Sequence, residues 1–182
     1  MPEAGGSRTI ETERLLLRPH RPEDHAAATT LWADPIVTRY ISGRPQSAEE
    51  SWSRLMRYAG HWAMLGFGYW AVVEQKTGRY VGDVGLSSFL RDLPDRLNFN
   101  TAPEAGWVLS PAVHGKGYAT EAVRAALAWG EANLGVKRFV CLIHPENLAS
   151  LRVAEKTGFT PYARTRYKDA PAVLLERIVL PD

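Results

Sequence analysis

The chain has 182 residues, 45% of them hydrophobic and 23% charged, with 22 Lys plus Arg against 20 Asp plus Glu for a formal net charge of +2. This composition suits a single folded domain over residues 1–182, excludes a disordered or collagen-like chain, and gives no electrostatic reason to expect a nucleic-acid partner. The lone cysteine, Cys141, excludes an intrachain disulfide and a cysteine-rich zinc site, and no run of about 18 apolar residues exists to cross a membrane.

Residues 1–10 are small and polar with no basic n-region or apolar h-region, so they are expected to be flexible and the protein cytoplasmic. Arg14-Leu15-Leu16-Leu17-Arg18, ending at Pro19, predicts a first strand. Pro22, Glu23 and Asp24 open a helix that runs to Trp32 and stops near Asp34-Pro35. Ser47-Ala48-Glu49-Glu50 has the form of a capping box, and Trp52, Leu55, Met56 and Ala59 follow at helical spacing. Residues 68–74 and 79–86 predict two strands joined by the turn Lys76-Thr77-Gly78. The charged stretch from Arg91 to Asn100, with Pro94 inside it, predicts a loop, and Glu104 to Leu109 another strand. A helix is expected from Gly117 to Leu134 with Gly135 as its stop. Phe139 to Ile143 is a continuous apolar run, as expected of a strand covered on both faces. A helix capped by Asn147 and ending at Gly158 precedes two last strands, near 160–166 and 172–179. The order β-α-α-β-β-β-α-β-α-β-β predicts a mixed sheet with helices on both faces, in the α/β or α+β class.

The segment from Val108 to Ala122 carries the clearest chemical signal. A strand runs out, the chain turns through Gly115 and Gly117 beside Lys116, and a helix begins. Glycines let backbone N–H groups approach an anion, and the helix N-terminus adds partial positive charge, which gives a phosphate or pyrophosphate cradle. The segment lacks the Walker A pattern, and Thr120 stands where a dinucleotide loop would have its third glycine. An ordinary glycine-rich turn fits the same spacing. Further on, Asn147 and Ser150 fall on one face of the next helix, with Ala154 continuing that stripe. They can serve a ligand or act as a plain N-cap and its neighbour.

Together these segments resemble the GNAT (Gcn5-related N-acetyltransferase) superfamily. His114-Gly115-Lys116-Gly117-Tyr118-Ala119 is similar to its pyrophosphate loop, and Asn147 through Phe159 is similar to its Asn-x-x-Ser…Glu-Lys-x-Gly-Phe segment. Thr12 to Pro19, with Glu23-Asp24 after it, resembles the RimJ/RimL-like branch that acetylates ribosomal-protein N-termini. The resemblance spans about residues 10–180. It implies a mixed, mostly antiparallel sheet of about seven strands with a splay between the fourth and fifth. It also implies acetyl transfer from acetyl-CoA to a primary amine, on a peptide N-terminus or a small molecule, with no metal and with a homodimer as an expected partner state. The other readings are an acyltransferase for an antibiotic, polyamine or amino acid, and a non-catalytic CoA-binding sensor.

Under the resemblance, pantetheine pairs with Trp107, Val108 and Leu109 on the splayed strand, and the pyrophosphate meets His114, Gly115, Lys116, Gly117, Tyr118, Ala119 and Thr120. Asn147 and Arg152 complete the cofactor set, Arg152 and Lys156 being expected near the 3′-phosphate. His114 replaces the family's usual Gln or Arg. Glu104 is the candidate general base. Ala154 stands where many relatives carry an acidic-proton tyrosine, so Ser150 is the candidate proton donor to the leaving thiolate, with Tyr162 or Tyr167 as substitutes. Residues 137–168 hold seven basic side chains against Glu146 and Glu155, a local excess matched to a phosphate-rich cofactor. The remainder, at about −3 by difference, is expected to face a cationic amine. Trp32, Trp52 and Trp62 lie where the resemblance puts the acceptor pocket, so one of them is expected to line it.

Overall fold

A computed structural model describes residues 8–180; of the stretch 1–10 expected to be flexible, residues 1–7 lie outside that range, whereas Arg8 accepts through its carbonyl from Trp70 Nε1 at 2.8 Å and Ile10 pairs with Leu17 in the sheet. Among the described residues, eight strands form one sheet: β1 (Ile10–Glu11), β2 (Leu15–Arg18), β3 (Tyr69–Glu74), β4 (Arg79–Ser87), β5 (Glu104–Leu109), β6 (Arg138–Ile143), β7 (Thr160–Tyr167) and β8 (Ala170–Ile178). The helices are α1 (His25–Ala33), α2 (Pro35–Thr38), α3 (Ala48–Leu65), α4 (Tyr118–Leu134) and α5 (Leu148–Lys156). Spatial order is β1-β2-β3-β4-β5-β6-β8-β7, antiparallel throughout except for the β5–β6 pair. The expected mixed sheet is present, with one strand and one helix more than the sequence reading. The two-residue β1 adds an eighth strand, so the expected splay falls between β5 and β6. Asp34 caps a separate short helix, α2, by accepting from the Ile36 N–H, and Pro35 at its first position makes the break from α1.

Local chemistry explains the longer elements. Ser47 Oγ accepts from the Glu50 N–H at 3.1 Å and Glu50 returns a carboxylate oxygen to the Ser47 N–H at 2.8 Å, closing the expected capping box of α3. Gly135 in the left-handed conformation ends α4. On one sheet face, α4 and α5 cover Leu15, Leu17, Trp70, Val84, Phe139 and Cys141 in the main core. Trp62, Trp70 and Trp129 meet there edge-to-face, with centroids 5.0–5.4 Å apart. On the other face, α1, α2 and α3 bury Leu31, Trp32, Val37 and Leu55 against Val108. The segment 88–103, which contains two short 3₁₀ turns, covers Val140 and Leu174 beside them. Burying each of these large apolar side chains contributes about 1.5–3 kcal/mol.

A buried carboxylate ties the second face together. Asp83 on β4 is inaccessible to solvent, accepts from Tyr80 Oη at 2.6 Å and from Trp32 Nε1 at 3.1 Å, and lies 2.7 Å from His20 Nε2. Three elements therefore converge on one side chain. Asp83→Ala strands all three partners in a dry environment, and a loss of about 3–5 kcal/mol is expected. Urea unfolding monitored by tryptophan fluorescence measures it. A loss below about 1 kcal/mol would show that the network is not a stability determinant.

Candidate active site

The site begins where a sheet stops pairing. Strand β5 is bonded to β4 along its whole length, but to β6 it pairs only at Glu104 opposite Val140, with the Val140 N–H donating to Pro103 O at 3.0 Å. Beyond that point the strands separate. Backbone groups on that side of β5 are left without sheet partners, and buried amides and carbonyls require partners. An extended chain laid into the gap would supply them. The gap opens into a cavity of about 470 Å³. Trp107, Val108 and Leu109 form its β5 wall, and His114, Gly115, Gly117, Tyr118, Ala119 and Thr120 its loop and α4 wall. Asn147, Ser150, Arg152 and Lys156 line it from α5 and the turn before it.

The glycine loop is built for close approach. Gly115 and Gly117 have φ of +75° and +80°, a region that side chains with a Cβ seldom adopt, and nothing lies within 4 Å of a Cβ built on Gly115. Gly117 is the N-cap of α4 and offers no side-chain cap, so the first N–H groups of that helix stay available to an anion. The His114 ring donates from Nε2 to Leu109 O at 2.9 Å, which fastens the loop to the end of β5. The imidazole is thereby engaged within the loop itself, which leaves backbone N–H groups as the donors the loop can offer to an anion. Lys116 does not line the cavity; its carbonyl oxygen accepts from Arg14 Nη1 at 2.8 Å.

Arg14 was not among the expected site residues, yet it holds this loop. Its Nε donates to Glu121 Oε2 at 2.7 Å, its backbone N–H to Glu121 Oε1 at 2.9 Å, and its guanidinium lies 4.6 Å from the Tyr118 ring centroid. Burial alone would raise the Glu121 pKa, but hydrogen bonds from Thr12 and Arg14 more than offset that and hold it below the usual carboxylate range. The arrangement neutralises an acid in the first turn of α4, beside the anion cradle. Its sequence signal was an arginine next to Leu15, indistinguishable from an ordinary strand-end residue.

The candidate acid and base are separated. Ser150 lines the cavity, its N–H donating to Asn147 Oδ1 at 3.2 Å as the N-cap contact of α5. Ala154 is fully buried in the core, so the stripe expected through Asn147 and Ser150 turns inward there. Glu104 is at the closed end of the gap and is not a lining residue. Arg91 grips both its oxygens, Nε to Oε2 at 2.6 Å and Nη2 to Oε1 at 2.5 Å. Burial would lower the Arg91 pKa, but the hydrogen bonds and charge of Glu104 raise it. Tyr162 donates to Leu97 O at 3.1 Å, and Tyr167 packs 5.0 Å from the Arg91 guanidinium; neither lines the cavity. None of the tryptophans expected on the acceptor side, Trp32, Trp52 and Trp62, lines this cavity. Trp32 and Trp62 are buried, and Trp52 is 38% exposed against His25. The cavity tryptophan is Trp107, and the α2 side contributes Ile36, Val37, Tyr40 and Ile41. Of the seven basic residues in 137–168, Arg152 and Lys156 line the cavity, whereas Arg138 is paired with Glu176.

Replacing Arg14 with Met is expected to raise KM for acetyl-CoA about tenfold while kcat stays within about twofold, because the loop loses its strut and Glu121 its counter-charge. Adding Glu121→Gln should recover part of the loss. Steady-state kinetics checks both, and an unchanged KM would separate Arg14 from the loop.

Sequence and structural relatives agree with this geometry. Residues 14–160 match the family model described as an acetyltransferase (GNAT) domain. The YkkB protein of Bacillus subtilis (strain 168) is 30% identical over 173 residues, covering 92% of this chain and 94% of that protein. An uncharacterized N-acetyltransferase, p20, of Bacillus licheniformis is 25% identical over 170 residues, covering 92% of each. A solved structure described as a putative GnaT-family acetyltransferase from Bordetella pertussis superposes with a TM-score of 0.83 at 29% identity, over 94% of this chain and 99% of that one. A half-open β5–β6 pair, a glycine loop opening a helix and a family match across most of the chain lead to one conclusion: this protein belongs to the GNAT acetyltransferase family.

Proposed function

We propose that the chain moves an acetyl group from acetyl-CoA directly to a primary amine, with a peptide N-terminal α-amine or the amine of a small molecule as acceptor. The observation that carries this reading is the β5–β6 gap. A pantetheine arm is an extended chain of amides, and the unpaired side of β5 from Gly106 to Leu109 presents the donors and acceptors to match it. At the far end, the uncapped N-terminus of α4 and the two left-handed glycines suit a pyrophosphate. Arg152 and Lys156 stand on the α5 wall for a further phosphate.

Attack on a thioester requires a neutral amine, stabilisation of the developing oxyanion and a proton for the leaving thiolate. An α-amine with a pKa of about 7.7–8.0 is neutral roughly 10–15% of the time at pH 7, whereas a lysine ε-amine at about 10.4 is neutral in only about one molecule in 2,500. That difference favours an α-amine, because among the described residues no carboxylate lines the cavity. Glu104 is held at both oxygens by Arg91 and lies off the cavity lining, so it would take the amine's proton through water. Ser150 is the hydroxyl that lines the cavity on the α5 side and would donate to the thiolate sulfur.

With a responsive amine, Ser150→Ala is expected to lower kcat about tenfold or more while KM for acetyl-CoA changes little; wild-type turnover removes the serine from the mechanism. Glu104→Gln is expected to lower kcat by about a hundredfold and to alter the pH–rate profile. An unchanged profile in that variant reassigns Glu104 to holding Arg91. Release of free CoA thiol across an amine panel tests the activity itself, and tight CoA binding without turnover of any amine would favour a sensor.

A further inference from the structure

Charge arithmetic on the sequence leads one to expect a mildly acidic wall for the acceptor. The structure puts three arginines on the β5 face beside the gap, outside the lining of the cavity itself. The face of β5 that carries Glu104, Gly106 and Val108 is covered by α1, α2, α3 and the 88–103 segment, and these supply Arg54, Arg57 and Arg91. Arg57 and Arg91 both stack on Phe89, with guanidinium carbons 4.7 Å and 5.3 Å from its ring centroid. Arg54 lies 3.5 Å from the Trp32 ring centroid and donates from Nη2 to Gln46 Oε1 at 3.0 Å. Its Nε is buried with no hydrogen-bond partner among the described residues.

Only one of these three charges is compensated. Arg91 has Glu104, but no carboxylate lies within ion-pair distance of Arg54 or Arg57 among the described residues. Although Arg57 stands on the outer side of α3, its head is packed over Phe89. Burial of that head, with repulsion from Arg54 next and a contribution from Arg91, holds its pKa below the ordinary arginine range. Like charges gathered without a counter-ion cost free energy that an incoming anion recovers.

Tyr69 joins this wall to the gap. Its ring stacks on Tyr58 with centroids 4.4 Å apart and planes within 3°, and lies 6.1 Å from Phe89. It also lies across Gly85 and Gly106, a cross-strand pair where no side chain fits: a Cβ on Gly106 would fall 1.9 Å from Tyr69 Oη. The hydroxyl therefore touches β5 two residues before Val108, which lines the cavity on this same face. The arginine wall and the transfer site share one stretch of strand.

We propose that Arg54 and Arg57 form an anion subsite for the acceptor, and that the acceptor is an amine carrying a carboxylate close to its amino group. This rests on the acetyl-transfer reading above. The same chemistry is offered by a free amino acid and by a peptide whose N-terminal residue is acidic. A guanidinium pairs with a carboxylate in a two-point fork, which orients the neighbouring amine as well as holding it.

The test uses the full chain with acetyl-CoA and compares kcat/KM for matched pairs: glutamate against glutamine α-amide, and peptides beginning with Glu against the same peptides beginning with Gln. The carboxylate-bearing member of one pair is expected to be preferred about tenfold or more, and the pair that shows it identifies the source. Arg57→Gln, a change on an exposed helix position, should bring the ratio close to one. Arg164→Gln, which removes an equal charge on the edge strand β7, should leave it. Equal rates within both pairs, or a preference that survives Arg57→Gln, overturns the subsite. A separate measurement, thermal stabilisation of the CoA complex by N-acetylglutamate against its diamide, needs no turnover. Stabilisation that requires both the carboxylates and Arg57, with no turnover of any amine, would keep the anion subsite and overturn acetyl transfer. Absence of any such stabilisation, together with active turnover of neutral amines, would do the reverse.

Discussion

The β5–β6 divergence is the constraint on which the rest depends. Two parallel strands meet at one register position and then part, although each is otherwise bonded to its outer neighbour. Leaving strand backbone unpaired inside a domain is costly, and such a gap persists only where surrounding structure enforces it. Here α4 connects the two strands across one face while α2 and α5 flank the opening, so closing the sheet would require moving packed helices. The gap thereby becomes a permanent slot with exposed hydrogen-bonding groups along one wall.

Electrostatics distinguishes the loop end of that slot from the surface beside it. At the loop end, positive character comes chiefly from backbone: left-handed glycines, an uncapped helix, and an acid of the first turn silenced by Arg14. Such a site is rigid because its donors belong to the fold. At the proposed acceptor subsite, beside the slot and not on its lining, positive character comes from side chains that α3 and the 88–103 segment bring together over Phe89. Side-chain sites of this kind change readily between relatives, since loops and short helices tolerate substitution more easily than a strand register does. A shared family and a divergent acceptor are both consistent with this division.

The buried polar residues serve the same geometry. Asp83 gathers Tyr80, Trp32 and His20 beneath β4 and opposite Val108, which fixes α1 against the sheet. Gly85 and Gly106 leave room for Tyr69 to lie flat, and Tyr69 in turn supports Tyr58. Glu104 shows how context alters a role. On an isolated strand end a glutamate is a free carboxylate; gripped at two points by Arg91, it is first a structural anion.

What the sequence determined by itself were the features written in short range. The α3 capping box, the breaks at Gly117 and Gly135, the apolar run of β6 and the Asn147 cap each depend on residues within a few positions of one another, so periodicity and turn chemistry expose them. The loop glycines and the β5 strand were legible for the same reason, whereas the strand's role as a wall of the gap came from the family resemblance. Tertiary structure decided what depends on distant partners: the two-residue β1, which exists only by pairing with β2; the α2 wall of the cavity; the Arg14–Glu121 strut across 107 positions; and the meeting of residues 54, 57 and 91 on one phenylalanine. Net charge shows the division plainly. A sum over the chain, or over a contiguous stretch, averages residues that folding separates, and only the fold decides which of them meet and which of those have a carboxylate partner.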